Sequence, residues 1–357
     1  MCPYFAMFPE GFAEEWIERL TKPGDTVLDP FSGRGTTALQ ALLMGRKAVA
    51  CDVNDVAYCL TKAKTNAPPL RSVFRRLTRL KKGFDRRSWW RVAANQSEFF
   101  HFAYAPRTRE QLLYLRKVLR WQSSPVDAMI GALVLGSLHG DAGEQKPYLS
   151  NQMPRTISTK PRYSVEFWKR REMEPIEKDV FTLLHERASY RYESVPPAGE
   201  AAVFRTDMRE LDSMQVSFPG KIRCAITSPP YLNVTNFEED QWLRLWFLGG
   251  PARPMKMRLS RDDRHVSPAR YWSFIGDMWR SFSLVLARNA QIVLRLGARN
   301  EDPELLQRKL VASCVFARRR TVLADWNVSE IRGRQTRAFR PGSRGCLFEI
   351  DCHFTMM

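Results

Sequence analysis

No two of the seven cysteines are spaced as C-x-x-C, and their number is odd. With only five scattered histidines, a zinc-ligand spacing is missing as well. A disulfide scaffold and a zinc module are therefore excluded, no metal is expected, and a reducing cytoplasm is the expected location. Cys51 and Cys224 stand inside apolar runs and read as small core residues. No apolar run approaches 18 residues and no leader-type pattern of charge followed by an apolar stretch is present, so a soluble chain with no membrane partner is expected. Repeats and low-complexity tracts are also absent. Acidic residues are short by comparison with basic ones, 38 against 56, a net charge of +18 over 357 residues. Such a surplus attracts polyanions and favours counterion release from a phosphate backbone. A solvated basic surface or a membrane-surface protein would show the same total. No basic amphipathic helix with a clean apolar face stands out, however, which favours nucleic acid as the partner.

With 44% hydrophobic residues the chain is globular in composition and long enough for a large core. "MCPYFAMFPEGF" reads as structured from the start, and "GFAEEWIERLT" carries Phe12, Trp16, Ile17 and Leu20 on one helical face. "KPGD" breaks that helix. "TVLDPF" and "KAVACDV" read as buried strands flanking a helix from Thr37 to Met44, a βαβ unit of a parallel sheet. From about Pro68 to Gly199 the chain turns basic, aromatic and helical. "LRSVFRRLTRLKKGF", "RTREQLLYLRKVLRW" and the nearly all-apolar "PVDAMIGALVLGSL" are its helices, and "NQMPRTISTKPRYSVEFWKRR" is a proline-punctuated loop entering one further helix toward "YRY". After "VPPAGE" strands return in "AAVFRTD", "CAIT" and "AQIVLRLG", with a helix in "YWSFIGDMWRSFSLVL". "RTVLADW" and "GCLFEIDCHF" read as a closing antiparallel pair. The expected architecture is α/β: a Rossmann-like, mostly parallel sheet with an antiparallel closing strand, interrupted by a mainly helical insertion. The expected divisions are 1–66, 67–200 and 201–357, with the first and last forming one domain.

Two stretches carry the chemistry. In "LDPFSGRGTT", Gly33 and Gly35 bracket a turn between strand and helix, where a missing Cβ lets a ligand lie against the backbone. Asp29 ends the strand. Asp52 ends the next strand about 20 residues later, suited to two ribose hydroxyls. There is neither the third glycine of a pyrophosphate turn nor a P-loop lysine, so a nucleoside without pyrophosphate is the expected ligand. The second stretch is Ser228-Pro229-Pro230-Tyr231, directly behind a strand. Two prolines remove backbone donors, Ser228 offers an acceptor oxygen, and Tyr231 offers a planar face for a heterocycle. A simple Pro-Pro turn with a packing tyrosine is the structural alternative.

"DPFSGRGTT", "CDVN" and "SPPY" resemble the motifs of the S-adenosylmethionine-dependent DNA amino-methyltransferases, the cytosine-N4 and adenine-N6 enzymes. The likeness runs over about residues 5–65 and 201–300. It implies a class I methyltransferase fold with S-adenosyl-L-methionine as cofactor and double-stranded DNA, its target base flipped, as substrate. A restriction-modification or related epigenetic role follows, with a cognate restriction endonuclease as candidate partner; oligomeric state stays open. By the same resemblance Asp29, Gly33 and Gly35 line the methionine moiety, Asp52 holds the ribose, and Pro30, Phe31 and Thr36 are further cofactor-binding residues. Asp207, with Met208 beside it, contacts the adenine, although a helix N-cap would explain Asp207 equally well. Phe8 and Pro9 correspond to an N-terminal motif of the family.

Ser228, Pro229, Pro230 and Tyr231 are then the catalytic set. An exocyclic amine is conjugated with its ring and so a poor nucleophile. Hydrogen bonds accepted from it draw the nitrogen toward tetrahedral geometry, and the base must leave its stack to be reached. Serine at the head of the tetrapeptide favours cytosine N4, with adenine N6 and an RNA amine as alternatives. A catalytically silent, methyltransferase-like nucleic-acid-binding subunit is the alternative of another class. No Pro-Cys motif suggests cytosine-C5 chemistry. Arg71, Arg75, Arg76, Arg79, Lys81 and Lys82 form a cationic run suited to phosphates, as do Arg334 and Arg337 in "RGRQTRAFRPGSR". Trp89, Trp90 and Tyr104 are either stacking residues or core.

Overall fold

Runs of wholly buried residues four to six long, bounded by glycine or proline, make the centre of a sheet here rather than of a helix. A computed structural model describes residues 8–140, 148–151, 160–232, 237–254, 267–298, 301–331 and 346–357. The first seven residues, most of the proline-punctuated loop, and Arg334 and Arg337 with their basic loop lie outside these residues.

Among the described residues the strands are β1 (Thr26–Asp29), β2 (Lys47–Cys51), β3 (Ala201–Phe204), β4 (Ile222–Thr227), β5 (Leu286–Leu296), β6 (Thr321–Glu330) and β7 (Phe348–Met356). They form one seven-stranded sheet in the order β3-β2-β1-β4-β5-β7-β6. β1 pairs parallel with β2 and β4, β2 with β3, and β4 with β5, whereas β7 runs antiparallel to both β5 and β6. The expected mixed, mostly parallel sheet with an antiparallel closing strand is observed.

Alternate residues of each central strand enter opposite cores, as the period of two demands. On one face Val27, Ala48, Ala50, Cys224 and Ile226 pack against α1 (Glu10–Leu20) and α2 (Thr36–Leu43) through Phe12, Trp16, Ile17, Ala41 and Leu42. Leu28, Val49, Ala225 and Ile292 face the other way, toward Tyr271, Phe274, Trp279 and Phe282 of a long helix, Pro268–Val285, and Leu306 and Leu310 of another, Pro303–Ser313. Cys51 and Cys224 are fully buried, in keeping with their apolar sequence surroundings.

The chain divides into two compact units. One comprises Tyr4–Thr61, Pro197–Thr235 and Ser260–Met357 and holds the sheet; the other comprises Met1–Pro3, Lys62–Pro196 and Asn236–Leu259. The segment 236–259, expected within the last methyltransferase portion, clusters instead with the helices. Contacts distant in sequence hold it there: Arg116 donates to the Trp246 carbonyl at 2.7 Å and to that of Gly250 at 3.0 Å, and the Trp246 ring lies 4.4 Å from that of Phe100. The helical unit contains α3's last residues (α3 spans Asp55–Thr65), then α4 (Leu70–Gly83), α5 (Arg86–Ala94), α6 (Glu98–Ala103), α7 (Pro106–Val118), α8 (Pro125–Leu135), α9 (Pro161–Arg170) and α10 (Val180–Arg191). Where the sequence pattern predicts one helix, two stand, α9 and α10. Residues 171–179 between them are extended or turned, because Pro175 interrupts the run and Asp179 caps α10 by accepting from Thr182 N–H. α8 is buried along its whole length, as expected from its composition.

The turn from β1 to α2 depends on Gly35, which sits at φ +75°. A Cβ there would lie 2.8 Å from Thr61 Oγ1 and 3.0 Å from the Thr61 Cα. Gly35→Ala is expected to destabilise the sheet unit by about 1–3 kcal/mol, read by chemical denaturation. A stability within experimental error of the parent would contradict this account of the turn.

Candidate cofactor and catalytic site

β1 and β4 are neighbours from which the sheet's connections leave in opposite directions, β2 and β3 to one side and β5 to the other. Clefts at the carboxyl ends of such strands are where α/β sheets bind ligands. Both motifs singled out in the sequence stand there. Asp29 ends β1 and Ser228 follows β4.

The glycine turn is stitched to β2. Gly33 N–H donates to Asp52 Oδ2 at 2.9 Å, Ser32 N–H to the Cys51 carbonyl at 3.0 Å, and Asn54 N–H to Asp52 Oδ1 at 2.9 Å. Gly33 and Gly35 both hold positive φ, +50° and +75°. Asp52 is half-buried and thereby fixed in orientation at the lip of the turn. Pro30 and Thr36 are buried, and Phe31 is half-buried against Phe274, ring centroids 5.3 Å apart.

Asp29 is buried, and its Oδ1 accepts from Thr227 Oγ1 at 2.6 Å and from Phe31 N–H at 3.2 Å. Thr37 Oγ1 at the start of α2 donates to the Ile226 carbonyl at 3.2 Å. The glycine turn and the strand leading into Ser228 are thus joined at two points. Burial raises the Asp29 carboxyl to about 6, against hydrogen bonds from Thr227, Thr37 and Phe31 that favour its anion. Such a carboxylate suits a cationic ligand group, the character of an amino acid's ammonium.

Beyond β4, Pro229 is buried and Ser228 and Pro230 are half-buried. Tyr231 is 8% exposed. Its hydroxyl donates to Glu349 Oε1 at 2.8 Å, and its ring edge rests where residue 297 must be glycine, since a Cβ there would come within 2.8 Å of Cε2. Glu349 faces Arg295 at 3.5 Å, and Arg295 forks onto both oxygens of Asp351 at 2.6 and 2.7 Å while its guanidinium lies 3.7 Å from the Phe12 ring centroid. Burial, and then the neighbouring Glu349, hold the Tyr231 phenol well above its ordinary range. Burial raises the Glu349 carboxyl as well, opposed by Arg295. Burial disfavours the Arg295 cation, yet pairing with Asp351 and Glu349 outweighs it.

Glu349, Arg295 and Asp351, which the motifs do not single out, are the residues that hold Tyr231 in place. A signal is nonetheless present: "LFEIDCHF" carries two acids at a spacing of two in an otherwise apolar strand, opposite a lone arginine in "IVLRL", and Arg295 pairs with Asp351 in the β5–β7 register.

The other expected site residues are dispersed in role. Asp207 caps the 3-10 segment Met208–Ser217, accepting from Arg209 N–H, and is bound by the Arg209 guanidinium. Met208 is buried in the core beside it. Phe8 packs on Phe12 at 4.9 Å and Pro9 opens α1. In the helical unit α4 buries Val73, Leu77 and Leu80, leaving Arg71, Arg75, Arg79 and Lys82 exposed along the other side. Arg76 is different: its guanidinium grips buried Asp127 at 2.8 and 3.1 Å. Lys81 faces Asp179 at 3.8 Å. Tyr104 is wholly buried and donates to the Leu138 carbonyl at 2.9 Å, and Trp89 packs edge-on to Tyr114, so both are packing residues here. Trp90 is half exposed.

The glycine turn, the oriented Asp52 and the Ser-Pro-Pro-Tyr thus stand together at the switch point of an α/β sheet. Over residues 2–63 the chain matches the model of a DNA methylase family, the N6/N4 methyltransferases. The orphan methyltransferase M.BamHII of Bacillus amyloliquefaciens is 44% identical over 54 residues, 15% of this chain and 20% of that protein. The type II methyltransferase M.BsoBI of Geobacillus stearothermophilus is 33% identical over 63 residues, 16% of this chain and 12% of that protein. The match therefore spans a fifth or less of the length of these curated relatives. A solved structure, TrmN from Thermus thermophilus, aligns with 99% of this chain and 50% of its own at 11% identity and a TM-score of 0.37. The likeness to the N4/N6 DNA methylases therefore lies in the stretch bearing Asp29, Gly33, Gly35 and Asp52.

Because the folded protein holds the Asp29 proton more tightly than an unfolded chain with a value near 3.8, this residue lowers stability as pH rises from about 4 to 6. Asp29→Asn, which keeps an acceptor for Thr227, is expected to raise stability at pH 7 by about 2–3 kcal/mol and to flatten that part of the pH profile. Denaturant titrations at pH 4 and pH 7 read the effect. An unchanged difference between the two would contradict the burial argument.

Proposed function

We propose that the chain is an S-adenosylmethionine-dependent DNA methyltransferase that modifies an exocyclic amine of a flipped base, cytosine N4 first and adenine N6 second. One observation carries the reading: the hydrogen bond from Thr227 to Asp29 brings the head of the Ser-Pro-Pro-Tyr beside the glycine turn. The family match over residues 2–63 supports it independently.

The donor set fits the cofactor. Gly33 and Gly35 open the backbone, the oriented Asp52 suits ribose hydroxyls, and the buried Asp29 carboxylate suits the methionine ammonium. S-adenosylmethionine, when bound, supplies a methyl group on a cationic sulfur. The rest is done by the chain's own residues. The Ser228 hydroxyl and the Pro229 carbonyl accept hydrogen bonds from the target amine, directing its lone pair away from the ring. The prolines withhold competing N–H donors from that spot. Tyr231 forms the wall against which the base rests, and Glu349 and Gly297 fix where that wall stands.

Serine as the first residue of the tetrapeptide favours cytosine. Digestion of DNA treated with the purified protein and labelled cofactor, followed by nucleoside mass spectrometry, is expected to yield N4-methylcytosine. Label in N6-methyladenine would redirect the assignment to adenine, label only in RNA would move the substrate, and no label in either would leave a silent binding subunit. Replacing Ser228 and Pro229 by alanine is expected to abolish transfer, by about 100-fold or more, with cofactor affinity unchanged. Parallel loss of cofactor binding would refute that division of labour.

Glu349 acts through Tyr231 and is a positioning residue. Glu349→Ala is expected to lower turnover about tenfold with little change in cofactor affinity, and Glu349→Gln, which keeps an acceptor, to recover most of it. Equal losses in both variants would point to the ion pair with Arg295 instead.

A further inference from the structure

The helical unit contains a groove of about 640 Å³ lined by Arg75, Arg76, Arg79, Arg120, Ser124 and Asp127, among others. Its charges are unequal in status. Both oxygens of Asp127, 3% exposed, are committed: Arg76 takes them at 2.8 and 3.1 Å, and the Arg120 backbone N–H donates to Oδ2 at 2.9 Å. That ion pair neutralises the acid lining the groove. Among the described residues the guanidinium groups of Arg75, Arg79 and Arg120 have no ion-pair partner, and all three residues are exposed. The first turn of α8, with Ser124 as N-cap, opens into the same space and adds the positive end of a helix.

Three unpaired guanidinium groups around a concavity attract an anion and repel one another when it is empty. The cations do not stop at the groove. Arg71, Arg75, Arg79 and Lys82 follow one side of α4 at spacings of four, four and three residues, a row of roughly 16 Å. A small anion would use the groove alone, whereas a linear polyanion would use groove and row together, since one DNA strand advances only about 3.4 Å per phosphate along its axis. The net charge of +18 points the same way.

We propose that this groove seats backbone phosphates of duplex DNA, held by Arg75, Arg79 and Arg120, with Arg76 serving only to cancel Asp127. The site grips without reading sequence, because bidentate guanidinium contacts to phosphate carry no base information. The proposal rests on the reading of the chain as acting on DNA, and differs from the sequence expectation by adding Arg120 and withdrawing Arg76 and Lys81.

The test is binding of a fluorescent DNA duplex to the full chain across a salt series. Arg75→Gln, Arg79→Gln and Arg120→Gln combined are expected to weaken binding by about 10-fold or more at moderate salt, alike for unrelated sequences. The slope of log K against log salt should fall by about 2–3, near 0.9 for each phosphate no longer neutralised. The control replaces three exposed arginines of the sheet unit, Arg288, Arg308 and Arg320, by glutamine and is expected to leave the slope nearly intact. An equal drop in that control overturns the groove in favour of general surface charge. An unchanged slope in the groove variant overturns it outright. Thermal stabilisation by inorganic phosphate that disappears in the groove variant, with DNA binding intact, assigns the site to a small anion and also overturns it. Tighter binding to an RNA hairpin overturns DNA as the partner. Wild-type protein that binds no DNA at all defeats the functional reading itself, which the variants alone would not.

Discussion

A single hydrogen bond between side chains 198 residues apart, Thr227 to Asp29, sets the geometry on which the site depends. It ties the carboxyl end of β1 to that of β4, in the dry interior of the sheet, at the one place where the connections diverge. Replacing Thr227 by an apolar residue would leave the buried Asp29 to Phe31 N–H and Thr37, short of one of its donors. The same bond keeps a carboxylate in surroundings that disfavour its charge. A carboxylate so placed lowers local stability, a cost that a neighbouring cation would relieve.

Tyr231 illustrates a second constraint. An aromatic side chain offered as a flat face gains nothing from being free to rotate, and this one is held at both ends. Its hydroxyl is fixed by Glu349 and its edge by the missing side chain of residue 297. Behind Glu349 the charge is balanced by Arg295 and Asp351, so the support for one phenol extends across two strands and onto α1 through Phe12. Rigid support of this kind is what separates a productive orientation from a merely adjacent one.

Much of the sheet is legible in the sequence because its signals are local. "TVLD" and "KAVAC" are continuous apolar runs with a glycine turn between them, and "CAIT" ends in two prolines that no strand can continue through. The antiparallel closing pair is legible for the same reason. What the sequence hides is nonlocal. That Arg76 turns inward while Arg75 and Arg79 stay in water depends on Asp127, 51 residues away, and a helical wheel cannot show it. Tyr104 has the composition of a stacking residue, and only the Leu138 carbonyl above it makes it core. Segment 236–259 leaves the expected domain through Arg116, a residue more than a hundred positions earlier. Asp207 is ambiguous between ligand contact and cap, and the cap is what its own chain uses.

The distance between Asp29 and Thr227 also has a consequence in time. During synthesis β1, β2 and the glycine turn emerge early, but the hydroxyl that satisfies Asp29 is made 198 residues later. At roughly 5–20 residues per second, the ribosome leaves that carboxylate in water for about 10–40 s. Helices α4 to α10 have that interval in which to begin packing on one another, while segment 236–259, which joins their unit through Arg116, emerges only after Thr227. The half-made sheet meanwhile presents an open β1 edge until β4 arrives to close it, so the site and the helical unit alike wait on chain made after the intervening helices.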